Sequence, residues 1–135
     1  MMKAPLLVTP ILVLTCLAGA APVDAHHAFS AEFDATKMVT LKGTVSKVAW
    51  TNPHAHIHMD VPNQAGAVTS WDLELGSPNA LMRRGWSRET LKPGDVVTAD
   101  GYLAKDGTNL ANARSITLSD GRTVFAGSSN ESVKD

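Results

Sequence analysis

The stretch His54–Leu75, HAHIHMDVPNQAGAVTSWDLEL, decides how this chain folds. HAHIHMDV alternates strictly: Ala55, Ile57, Met59 and Val61 point one way, and His54, His56, His58 and Asp60 the other. A period of two marks a strand with one face buried. PNQAG is a turn by composition. VTSWDLEL alternates again, with Trp71, Leu73 and Leu75 against Ser70, Asp72 and Glu74. The two segments predict an antiparallel hairpin. With its turn centred on Gln64 and Ala65, His58 faces Asp72, His56 faces Glu74 and Asp60 faces Ser70. Residues two apart on a strand sit roughly 6.5–7 Å apart on one face. His54, His56 and His58 then form an outward ladder in which imidazole and carboxylate alternate.

Outward from this hairpin, the pattern stays mostly β. VTLKGTVSKVAW, from Val39, is rich in β-branched residues and carries Gly43, which predicts a bulge or bend. After the hairpin, Ser77 suits an N-cap, Pro78 a first helical position and Gly85 a C-terminal stop, so NALMRRG predicts a short helix. KPGD is a turn. VVTADGYLA predicts a fourth strand bent at Gly101, KDGT a tight turn, and NLANARSITL a fifth strand. SDGRTVFA predicts a short terminal hairpin arm. The fold class expected is all-β with one short helix, in the order β-β-β-α-β-β. This is the order of a five-stranded, partly open Greek-key barrel of the OB type. An open meander sandwich is the rival.

The front of the chain has a different character. Lys3 precedes an apolar run from Leu6 to Ala18, followed by small or polar residues ending Val23-Asp24-Ala25. That order reads as a secretory signal peptide, and the run is too short for a membrane span, which needs roughly 20 residues. Cleavage after Ala25 makes His26 the first residue; a second candidate cut follows Ala20. Cys16 lies inside the apolar run, so the exported domain has neither a disulfide nor a thiolate metal site. Formal net charge is −1 and no basic tract is present, so nucleic acid is not an expected partner. The expected division is 1–25 signal peptide, 26–38 N-terminal arm, 39–126 OB-like β-barrel domain and 127–135 disordered tail. A periplasmic or secreted location follows.

All five histidines fall between positions 26 and 58. Neutral imidazole suits zinc, copper, iron and nickel, and a carboxylate beside a ligating histidine fixes its tautomer. Histidine–carboxylate neighbours on a wet sheet face are also ordinary cross-strand pairs. One strand surrounds an ion poorly, so a second segment is needed. A terminal His26 offers an amine and a ring nitrogen. With His54 they make a three-nitrogen set suited to copper(II), and this arrangement resembles the histidine brace of copper oxygenases and periplasmic copper carriers. The competing reading of HHAF is a flexible terminus whose Phe29 and Phe33 dock on the barrel. Arg83, Arg84 and Arg88 gather at the helix end, where dipole contacts account for them. Trp50, Trp71 and Trp86 fit core packing. Ser77, Ser87 and Ser115 have no histidine partner by sequence.

HHAFSAEFD, LKGTVSKVAWTNPHAHIHMDV, WDLELGSPNALMRRGW, LKPGDVV and AKDGTNLANARSITLSDGR together resemble the exported bacterial domain-of-unknown-function family 6152. The family has no established activity. The resemblance implies export and a small β-rich domain. It also implies that the positions of His26, His27 and His54 are usually histidine, whereas those of His56 and His58 often carry aromatic residues. The candidate metal residues are thus His26, His27, His54, His56 and His58, weighted towards the first three. The expected function is a periplasmic carrier or buffer for copper, with zinc second. The alternative is a metal-free module holding a small ligand or protein partner. An enzyme finds the least support.

Overall fold

In the computed structural model, residues 25–127 are described, with side chains from Phe29 onward. The signal peptide reading and most of the tail reading therefore lie outside the described residues. The elements are α1 (Ala25–Glu32), β1 (Phe33–Ala49), β2 (His56–Pro62), β3 (Val68–Glu74), α2 (Pro78–Arg83), β4 (Val96–Ala104), β5 (Leu110–Thr117) and β6 (Thr123–Phe125). The chain is mostly β. The short helix α2 follows β3 as expected: the Ser77 hydroxyl accepts the Ala80 N–H at 3.2 Å, Pro78 opens the first turn, and Gly85 takes φ +92°. Two features go beyond the expectation. Helix α1 precedes the sheet, and β1 begins at Phe33 rather than Val39. Both depend on Phe33, which is 1 % exposed and anchors the junction in the interior.

The strands close on themselves. β1 pairs with β2, β2 with β3, β5 with β4 and β4 with β1, all antiparallel. The ring of five strands is completed by a parallel pairing of β3 with β5 through Asp72–Leu110, Leu73–Ala111 and Glu74–Asn112. β6 is a sixth strand, antiparallel to the far end of β5. Two glycines permit the bending. A Cβ on Gly43 would fall deep inside contact with the Asp60 carbonyl, and one on Gly101 inside that of Asn112. Only a residue without a side chain lets the backbones approach so closely. Near these points the ladders shift register, between Val45 and Lys47 and between Asp100 and Gly101.

The alternation read in the sequence sorts the two faces. Ala55, Ile57, Met59, Leu73 and Leu75 are buried, and join Val45, Val97, Ala99, Ala111, Ala113 and Ile116 in one core. Full burial of each large aliphatic side chain contributes about 1.5–3 kcal/mol. Leu81 of α2, Trp86 and Leu91 belong to the same core. The Trp86 indole donates to the Phe125 carbonyl at 2.8 Å, which ties β6 to the loop after α2. Trp50 and Trp71 pack against this core as well. In the KDGT turn, the Asp106 carboxylate accepts the Thr108 hydroxyl and backbone N–H at 2.7 and 2.9 Å, which lowers its pKa. No helix among the described residues is long and apolar enough to cross a membrane.

Candidate functional site

The β2–β3 hairpin has the register derived from the sequence: His56 opposite Glu74, His58 opposite Asp72 and Asp60 opposite Ser70. Asp60 accepts the Ser70 hydroxyl at 2.9 Å. The side chains do not all follow this ladder. His56 Nδ1 bonds Asp72 Oδ1 at 2.8 Å, on the diagonal. Glu74 likewise leans towards His54, whose Nδ1 lies 3.8 Å from Glu74 Oε1. Diagonal neighbours come within reach on a twisted sheet, and both carboxylates use that reach in the same direction. The His58 ring is left without a hydrogen bond to any described residue.

His54 sits just before β2 on a segment held by backbone pairing: Ala55 N–H donates to Gly76 O at 3.0 Å and Leu75 N–H to Ala55 O at 2.8 Å. The Asn52–Pro53 peptide ahead of it is cis. His54 Nδ1 lies 3.0 Å from the Leu75 carbonyl oxygen. A carbonyl only accepts, so Nδ1 carries the proton. The Asp72 carboxylate fixes the same tautomer on His56. In both rings Nε2 is then the nitrogen with the free lone pair. A ring nitrogen bound to a carbonyl or carboxylate, with the other available, is the arrangement that orients a metal-ligating histidine. The donor set present therefore fits a borderline metal in chemistry, though not in number. Among the described residues no three His, Cys, Asp or Glu side chains converge as a metal-binding group. His26 and His27 lie in the backbone of α1, and their side chains are outside the described residues.

Two residues that sequence reasoning did not single out complete this face. Asn112 on β5 stands opposite Glu74 on β3 and opposite Tyr102 on β4. Its amide nitrogen donates to Glu74 Oε1 at 3.3 Å. Glu32, the last residue of α1, comes close enough for its charge to act on Glu74. Burial holds the Glu74 carboxyl above the ordinary value of 4.5; nearby His54 opposes this and Glu32 adds to it. Helix α1 is tethered here by Phe29, whose ring meets Phe33 and Tyr102 at 5.6 Å. The Lys105 N–H donates to Glu32 O at 2.8 Å, and the Lys105 ammonium donates to Ser30 O. No local signal marks Asn112, because its partners come from strands distant in sequence.

A model of DUF6152, a family of unknown function, matches residues 13–113. The chain belongs to this family. The match spans His26, His27, the whole hairpin, α2 and Asn112. No curated protein and no solved structure matches it. Membership of DUF6152 brings no ligand set with it, so the chemistry of the site rests on the geometry above.

Proposed function

We propose that this protein is a periplasmic carrier or buffer for a metal ion, copper before zinc. His54 supplies a ring nitrogen, and a mature amino terminus at His26 supplies amine and ring. His27 or His56 is accessory, and His58 lies further along the same face. One observation carries this reading. The Leu75 carbonyl holds the His54 Nδ1–H, leaving Nε2 as the donor nitrogen on a rigid, hydrogen-bonded segment. The influence of Glu32 on Glu74 supports it, because the end of α1 is then within electrostatic range of the carboxylate that neighbours His54. His26 is about 9 Å of helix rise ahead of Glu32. Bound there, copper would supply only its preference for a tetragonal set of nitrogens. The chain supplies the orientation of the rings and their tautomers. The ring closed by β3 and β5, with α2 between β3 and β4, supports reading the fold as an OB-type Greek-key barrel.

The test is calorimetric titration of copper(II) into protein beginning at His26, and into the same protein with a methionine ahead of His26. The terminal-amine site predicts at least a hundredfold loss in the second form; equal affinities eliminate it. The mass of protein recovered from the periplasm checks both export and the cut after Ala25.

A second reading is a metal-free binding module using the same face. The imidazole–carboxylate pairs on this face, formed within the protein without an ion, support it. Ligand-dependent thermal shifts that persist in chelator select this reading over the first.

A further inference from the structure

Among the described residues, Asn112 is the buried polar one. It is 4 % exposed, and its Oδ1 has no hydrogen-bond partner. Nearly all buried polar side-chain atoms in folded proteins are paired, and an orphan carries its full desolvation cost. The amide cannot escape by rotating. Its Nδ2 faces an acceptor, Glu74 Oε1 at 3.3 Å, so the oxygen must take the other position. The neighbouring donors are already committed: His54 Nδ1–H to Leu75 O and His56 Nδ1–H to Asp72. The Glu74 carboxylate stands beside the amide and is itself within electrostatic range of Glu32. The Arg114 guanidinium donates to the Tyr102 hydroxyl at 3.4 Å, so the amide oxygen itself meets no donor while a half-buried carboxylate stands next to the amide.

We propose that Asn112 Oδ1 and the Glu74 carboxylate form a subsite for a primary ammonium group, with Tyr102 and Phe29 as the wall for its carbon end. The chemistry selects this class. An ammonium brings three N–H donors and one positive charge, which answers both the unpaired oxygen and the carboxylates. A hard divalent ion needs six or more oxygens, more than Asn112 and Glu74 offer. A neutral donor would answer the amide oxygen but bring no charge to the Glu74 carboxylate beside it. The edge-on aromatic pair Phe29–Tyr102 lies next along the same row of the sheet, since Tyr102 pairs with Asn112. Aromatic rings also attract cations. This subsite does not depend on copper at His54.

The experiment is an NMR titration of the full chain in the presence of chelator, so that a metal site contributes nothing to the signal. The probes are propylammonium and tetramethylammonium, which share a charge but differ in N–H donors. Propylammonium is expected to give saturable shifts at the Asn112 side-chain amide, Glu74 and Tyr102, with at least tenfold higher affinity than tetramethylammonium. Asn112→Leu should lower propylammonium affinity tenfold or more. Should that variant not fold, Asn112→Asp keeps the size, adds a carboxylate and must raise the affinity. Equal binding of the two ions, no saturable shift, or unchanged affinity in a folded Asn112→Leu protein overturns the proposal. Copper titration without chelator succeeds or fails independently of these outcomes.

Discussion

Ile57 and His56 are neighbours in the chain, yet they belong to opposite regions of the molecule. The inner face of β2 and β3 is apolar: Ile57, Met59 and Leu73 are at most 1 % exposed. The outer face carries two imidazoles with fixed tautomers, a half-buried carboxylate and a buried amide with an unpaired oxygen. The inner face is satisfied by packing alone, so its contribution is stability. The outer face is incompletely satisfied, and both binding proposals lie there for that reason. The same strands carry both because successive side chains point to opposite sides of a sheet.

Substitutions can sharpen this contrast. Truncation within the core should have the largest effect: Ile57→Ala is expected to cost about 4 kcal/mol in urea unfolding, through lost burial and the cavity left behind. Gly43→Ala should cost about 3 kcal/mol. The added methyl meets the Asp60 backbone, which no rotamer change can relieve. A loss under 1 kcal/mol there would show that β1 and β2 can separate without harm.

On the outer face the signs change. The Glu74 carboxyl titrates above its ordinary value because it is buried, so the folded state holds its proton longer than the unfolded state. Its contribution to stability is fully present below pH 4.5 and is lost as pH rises through the raised folded value. Glu74→Gln removes that loss. The variant and the parent should melt together below pH 4.5. Above it the variant should melt at a higher temperature than the parent. Thermal melts at a series of pH values check this; a variant less stable at neutral pH would contradict the assignment of burial as the main cause. Asp72→Asn should change stability least, by under about 0.5 kcal/mol at this half-exposed position. Where His56 takes part in copper binding, the same change should lower copper(II) affinity about 10- to 100-fold, as loss of a carboxylate behind a ligating ring does. A calorimetric titration reads the difference.

Much of this contrast was legible in residues 54–75. The alternation separated Ile57, Met59 and Leu73 from His56, His58 and Asp72, and the PNQAG turn set the register. Ser77, Pro78 and Gly85 bounded α2 through local rules of capping. The diagonal bond between His56 and Asp72 was not legible, because it depends on sheet twist. Asn112 was not legible either. In LANAR it alternates with the inward Ala111 and Ala113, which marks it as outward and gives no reason to expect burial. Helix α1 was not legible because the apolar residues of AHHAFSAE form no clear stripe. What holds it on the sheet is a distant contact, Phe29 on Tyr102.

The sequence by itself determined which side chains of each strand face inward, where the chain turns and where α2 starts and stops. Those properties follow from side-chain periodicity and from residues within a few positions of one another. Only the tertiary structure decided that β3 meets β5 in parallel, that Asn112 lies against Glu74, and that the end of α1 comes within electrostatic range of Glu74. These pairings join segments far apart in the chain. Their stability comes from closing the ring around a shared core, and no local pattern records which strand edges will meet.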